Sequence, residues 1–159
     1  MFILSYLVHQ VNMNNIFSIN AIGYISVKDA VREFENHFKK DVTLPKIKPA
    51  ILFTNQFGRF YEDREYNIND LLKIKFVNEK AVENNYKIDI RPLKNKIIFK
   101  DRENQKAYTL KNGEKAIYFE HQLFNFLVFE NNNWQYMFGI DKRLSKVTPG
   151  LVEIANSIE

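Results

Sequence analysis

Two apolar runs, residues 123–130 and 134–140, stand on either side of Asn131, Asn132 and Asn133 and predict a β-hairpin with a short polar loop. This hairpin is expected at the centre of a sheet. Upstream, Leu72, Ile74 and Phe76 alternate with Lys73 and Lys75, and Tyr86, Ile88 and Ile90 alternate with Lys87, Asp89 and Arg91. A period of two predicts strands with one wet face. Residues 96–100 predict a further strand, and residues 106–110 and 114–119 flank Asn112-Gly113, the strongest short hairpin signal in the chain. Residues 51–53 and 57–61 bracket Asn55 and Gly58 and are expected to pair, while residues 3–11 predict a first strand.

Helical spacing replaces alternation twice. Val27, Ala30, Val31, Phe34 and Phe38 share one side of a segment, with Lys28, Arg32, Glu33, Glu35 and Lys39 on the other, which predicts an amphipathic helix over residues 27–39. Ser26 supplies its N-cap and Asp29 suits the positive end of its dipole. Near the end, Thr148 and Pro149 read as N-cap and first helical position, and Leu151, Ile154, Ala155 and Ile158 recur on one face. The pattern adds up to an α+β fold: a curved antiparallel sheet, a half-barrel of roughly seven or eight strands, packed on an N-terminal helix and a short C-terminal helix. Short turns between consecutive strands predict a meander, because parallel strands need long crossovers.

Composition narrows the chemistry. The 159 residues suit one domain, 1–159, with residues 1–22 its least defined part. Fourteen Phe and eight Tyr favour strands over helices. There is no cysteine, which excludes disulfides, thiolate metal sites, cysteine nucleophiles and a lipid-modified cysteine within this sequence. Residues 1–8 are apolar but short, with no basic region before them and no small-residue cleavage motif after them, unlike a working signal peptide. One reading makes Met1 an internal start, or a boundary, within a longer precursor whose anchor has been lost. The 23 Lys and Arg are nearly balanced by 19 Asp and Glu, for a net charge of +4, a weak argument for nucleic acid.

His9, His37 and His121 form no metal-binding spacing, and no cofactor is expected. Glu62, Asp63 and Glu65 flank Arg64 in a stretch that reads as solvated loop rather than a general acid and base across a cleft. Glycines are isolated, so there is neither a phosphate loop nor a nucleophile elbow. Two surfaces remain as candidates. The basic run through Lys94, Lys96, Lys100, Arg102, Lys106, Lys111 and Lys115, with Arg91 before it, could attract phosphate groups, and Arg91, Lys96, Lys100, Arg102 and Lys106 are its candidate anion-binding residues. Asp101, Glu103 and Glu114 interleave with it, as in an ordinary solvated face. In the hairpin, Trp134, Tyr136, Phe138 and Ile140 share one side of a strand, and Phe124, Phe126 and Val128 one side of its partner. These side chains form either a closed core or an apolar groove, and Phe124, Phe126, Trp134, Tyr136 and Phe138 are the candidate lining of the groove.

Several stretches carry a resemblance: Ser26-Val-x-x-Ala30, Val42-x-Leu44-Pro45, Tyr108-Thr-Leu-x-x-Gly113-x-Lys-Ala116, residues 127–130, Trp134-x-Tyr136 and Ile154-Ala-Asn-Ser-Ile158. In these the chain resembles an uncharacterised extracytoplasmic domain of lipoproteins and of sporulation- or anti-sigma-associated membrane proteins in Gram-positive spore formers. Phe129 stands where that family usually has Trp. The family is similar to the lipoprotein-carrier fold and to the periplasmic anti-sigma regulator built on it, in which a half-barrel sheet wraps over helices and shelters an acyl chain. The resemblance implies a non-enzymatic module of the cell envelope that senses a ligand or binds a partner. Its expected partners are an unknown protein or an apolar ligand, lipid or peptide, with membrane association only through a missing anchor. The alternative is binding of an anionic polymer or nucleic acid through the basic hairpins, a partner the charge balance disfavours.

Overall fold

In the computed structural model the described residues are 23–100 and 104–158, so the strand expected at residues 3–11, His9 and Arg102 lie outside them. The fold is α+β, with helix α1 (Val27–Phe38), a seven-stranded antiparallel sheet and a short helix α2 (Leu151–Ala155). The strands are β1 (Asn55–Tyr61), β2 (Leu71–Val77), β3 (Asn85–Pro92), β4 (Lys106–Thr109), β5 (Lys115–His121), β6 (Phe124–Asn131) and β7 (Trp134–Asp141). Their order is β1-β2-β3-β7-β6-β5-β4, an open sheet with the predicted hairpin β6–β7 in its middle.

The single meander expected from the short turns is two. Strands β1 to β3 form one and β4 to β7 the other, joined where β3 pairs with β7 rather than with β4. Burial explains the choice. In β3, Tyr86, Ile88 and Ile90 need a full-length apolar neighbour, which Trp134, Tyr136, Phe138 and Ile140 provide in register. Strand β4 has four residues, all exposed, and suits the sheet edge. After β3 the chain therefore crosses to the far edge of the sheet before β4 begins. The strand expected at residues 96–100 belongs to this crossover and is irregular. It is held by the Gln135 side chain, whose Nε2 donates to the Ile97 carbonyl at 2.8 Å and whose Oε1 accepts the Ile97 N–H at 2.9 Å.

Helices α1 and α2 lie on one face of the sheet, here the front. In α1 the Ser26 hydroxyl accepts the Asp29 N–H at 3.1 Å, and Lys39 closes the helix at a φ of 54°. Ala30 and Phe34 face inward, Phe34 against Phe60 and Trp134. Gly58 makes that approach possible, because a Cβ there would stand 2.8 Å from the Ala30 Cβ. The front core continues through Leu72, Ile74, Leu127, Phe129 and Tyr136 to Leu151 and Ile154 of α2.

Two further expectations are corrected. Residues 51–53 do not pair with residues 57–61. Instead β1 begins at Asn55 and pairs with β2, with the Thr54 N–H donating to the Val77 carbonyl at 2.9 Å. Thr148 is not the cap of α2: the Thr148–Pro149 peptide is cis, and the five-residue helix starts after an extended Gly150.

Candidate functional site

The back of the sheet, on the side opposite α1 and α2, is divided lengthwise by chemistry. Registry brings Lys73 opposite Asp89, Asp89 opposite Met137, Met137 opposite Val128 and Val128 opposite Ile117. The next row runs Lys75, Lys87, Gly139, Phe126, Phe119. A column of charge on β2 and β3 is thus separated by β7 from a column of apolar side chains on β6 and β5. Phe119 stacks on Phe126 at 5.4 Å and Phe126 on Phe124 at 5.9 Å, while Phe99 of the crossover lies 5.2 Å from Phe119.

The charged column is buried, although its alternating pattern predicts a wet face. Exposure falls to 4% for Lys73, 1% for Lys75, 1% for Asp89 and 7% for Arg91. Asp89 holds the group together, with Lys73 Nζ 3.4 Å from Oδ1 and Arg91 Nη2 3.9 Å from Oδ2. Burial works to raise the Asp89 carboxyl, but the charges of Lys73, Arg91 and Lys87 outweigh it and hold the group below the ordinary carboxylate range. Both ion pairs are longer than an ideal charge-assisted hydrogen bond. Among the described residues neither Asp89 oxygen, nor Arg91 Nη1, has a hydrogen-bond partner.

Lys75 and Lys87 face each other directly across β2 and β3, an arrangement of like charges that opposes pairing. Burial, then the charges of Lys73 and Lys87, bring the Lys75 amine down to about 7, with Asp89 opposing. Burial likewise brings Lys87 down to about 8, against the pull of Asp89 and with help from Lys73 and Arg91. The Lys87 side chain crosses β7 towards the rings, its Nζ 4.4 Å from the centre of Phe124 and 5.2 Å from that of Phe126. Gly139 leaves the passage open, since a Cβ there would stand 2.8 Å from Phe126 Cε1 and 3.0 Å from Lys87 Cε.

Beside the apolar column, between the crossover and strands β5 and β6, lies a cavity of about 360 Å³. Ile97, Ile98, Phe99, Ile117 and Val128 line it, and Gln135 forms the side next to Arg91, its register partner on β3. Lys96, Glu114, Lys115 and Glu130 supply charge to its walls, with Lys96 bonded to Glu130 at 2.9 Å. Ile98 is 81% exposed, so the cavity reaches solvent on that side.

The candidates named from sequence fall in different places. Trp134, Tyr136 and Phe138 lie in the front core, where Trp134 Nε1–H donates to the Asp41 carbonyl at 3.0 Å and the Tyr136 hydroxyl to that of Thr43 at 2.8 Å. Phe124 and Phe126 lie on the back, so the five do not share a groove. Of the basic set, Arg91 is in the buried column, Lys96 at the cavity, Lys100 exposed in the crossover and Lys106 exposed on the β4 edge. Among the described residues of the set, Arg91 is the register partner of Gln135, and Lys96 shares the cavity lining with Gln135. Lys73, Lys75 and Lys87 were not singled out in the sequence. Their signal was two strands with basic alternate positions, which sets lysine against lysine in one of the possible registers.

The acidic cluster has structural partners. The Asp63 carboxylate accepts the N–H groups of Tyr66, Ile68 and Asn69, which hold it below the ordinary range, and Glu62 pairs with Arg64 at 2.7 Å and His37 at 3.3 Å. Among the described residues no three His, Asp or Glu side chains are placed to hold a metal ion, and no helix is long and apolar enough to cross a membrane. No protein-family model, curated protein or solved structure matches this chain.

Proposed function

We propose that this is a non-enzymatic binding domain of the cell envelope, and that its back face takes an apolar ligand with an acyl-type chain. The cavity of about 360 Å³ beside Phe99, Ile117 and Val128 carries this reading. Its volume is in the range of small-molecule sites, roughly 300–1,000 Å³, and Ile97, Ile98, Phe99, Ile117, Val128 and Phe129 give it an apolar side, with Lys96, Glu114, Lys115, Glu130 and Gln135 supplying the polar one. The stacked rings of Phe119, Phe126 and Phe124 extend the apolar surface away from it. Placement in the envelope rests on the family resemblance.

Native mass spectrometry of the purified chain, followed by denaturation and lipid extraction, tests the reading. One acyl species per chain is expected, released on unfolding and lost from Ile117→Trp, which fills the cavity from a half-buried position. A chain that purifies empty and does not bind added decanol would overturn it.

A further inference from the structure

The cavity on the back face is polar at one end and apolar along the rest. Side chains alternate along β5 and β6, so Lys115 shares the back with Ile117 and Phe119, and Glu130 shares it with Val128 and Phe126. Lys115 and Glu130 each stand one residue beyond the Ala116–Phe129 pair, at the same end of the two strands. The next row inward is Ile117 with Val128, and the row after it Phe119 with Phe126. The crossover repeats this order: Lys96 bonds Glu130 at 2.9 Å, and Phe99 lies 5.2 Å from Phe119, two rows further in. Lys115 and Phe119 are four residues of strand apart, about 13 Å, the reach of a medium-length acyl chain.

The polar end is also the wet end. Lys96, Glu114 and Lys115 line the cavity and are themselves exposed, and the Glu130 side chain is 41% exposed. A charged group placed there keeps part of its hydration, whereas beside Phe99 it would be stripped of water without a partner. The charges of this end are not equally engaged. Lys96 and Glu130 hold each other, but the Lys115 ammonium, on the same face as Ile117, has no ion pair or hydrogen bond among the described residues. Glu114 belongs to the turn before β5, where its N–H donates to Asn112 Oδ1 at 3.0 Å and its carbonyl accepts the Leu110 N–H at 2.8 Å. Its place is set by that turn, not by the strand that aims Lys115 at the cavity.

We propose that the ligand of this cavity is a medium-chain fatty acid, its carboxylate held at the open end by Lys115 with Lys96 beside it, and its chain laid over Ile117 and Val128 towards Phe99. The inference rests on the apolar-ligand reading above and adds the head group and the direction of the chain. The carboxylate gives Lys115 the acceptor it lacks. It also completes a set in which two cations, Lys96 and Lys115, face two anions, Glu130 and the ligand, at the mouth of an apolar channel.

Calorimetric titration of the full chain with decanoate, decanol and decylamine, at neutral pH in low-salt chloride buffer, separates head from chain. Decanoate is expected to bind roughly three- to tenfold more tightly than decanol, as one or two ionic contacts at a half-exposed site give, and decylamine more weakly than decanol. Lys115→Met keeps the length of an exposed side chain and is expected to abolish the preference for decanoate while leaving decanol binding unchanged; urea unfolding checks that the variant folds. Decanol binding as tightly as decanoate, decylamine binding more tightly than decanoate, or a preference indifferent to Lys115→Met would overturn the head assignment and leave the apolar reading standing. Decanoate binding that survives Ile117→Trp while decanol binding is lost would show an anion held on the surface apart from the cavity, and would overturn the fatty acid. Failure of both decanol and decanoate to bind would overturn the inference and the reading beneath it together.

Discussion

Replacing Lys75 by Met should stabilise this protein at mildly acidic pH. The Lys75 amine sits at about 7 in the fold, against roughly 10.4 for a free lysine. Around it lie Lys73 on its own strand, Lys87 directly opposite and Asp89 diagonally placed on β3, and Phe57 opposite on β1, with Arg59 further along that strand opposite Lys73. Below about pH 7 folded and unfolded chains both carry the proton, and the cost of holding it in the fold is fully present. Between about pH 7 and pH 10.4 the unfolded chain holds more protons than the folded one, so stability climbs with pH. At roughly 1.4 kcal/mol per pH unit the full cost is about 5 kcal/mol, of which about 3 kcal/mol is relieved between about pH 6 and pH 9. Lys87, at about 8, adds roughly 1 kcal/mol in the same direction over that window.

Methionine keeps the length of the side chain and removes the charge. A gain of about 2–4 kcal/mol is expected near pH 6, shrinking to about 1–2 kcal/mol near pH 9. Urea unfolding followed by the fluorescence of Trp134, in chloride buffer without phosphate, measures both. A flat wild-type profile between those pH values, or a variant less stable than wild type near pH 6, would refute the claim that this column stores unfavourable charge.

Two other substitutions test the same architecture. Asp89→Asn removes the carboxylate shared by Lys73 and Arg91 and should cost about 3–5 kcal/mol near neutral pH. Because the Asp89 carboxyl is held down in the fold, its contribution is present above the unfolded value of about 3.9 and is lost as pH falls through the folded value; an equal cost near pH 2 and pH 7 would count against it. Gly58→Ala brings a Cβ against that of Ala30 and should cost about 1–3 kcal/mol by overpacking. Ala30→Gly in the same chain should recover part of that loss in a double-mutant cycle, and strict additivity would mean that the two atoms do not meet.

The readable parts of this fold are those set by local pattern. Helix α1 was legible because Ser26, Asp29 and the spacing from Val27 to Phe38 all favour the same element. The alternation of β2 and β3 gave both strands and which of their side chains face the core. It did not give the fate of the other side. Lys73, Lys75, Lys87, Asp89 and Arg91 read as a wet face, since alternation reports that two faces differ, not that the polar one meets water. The crossover was hidden for a related reason. Residues 96–100 are apolar enough for a strand, but the backbone partners of Ile97 are the two ends of the Gln135 carboxamide, a rung no periodicity reveals.

The split of the aromatic candidates turns on one residue of loop. Read as a loop of three, Asn131 to Asn133 would set Glu130 opposite Trp134, and Phe124, Phe126, Trp134, Tyr136 and Phe138 would share a face. The turn has two residues, Asn132 at a φ of 52° and Asn133 at 65°, and Asn131 is opposite Trp134. Paired left-handed residues match the twist of a two-residue hairpin, and Asn adopts that region more readily than most residues. A shift of one in register exchanges the faces of an entire strand. It places Phe126 opposite Gly139 and Leu127 opposite Phe138, which sends the rings of β7 into the core beneath the helices, together with Phe129, and those of Phe124 and Phe126 to the back beside the lysines. Three asparagines in a row announce a turn without fixing which of them belong to it. The two faces of this protein are divided by that choice, and so is the apolar column from the core it would otherwise have joined.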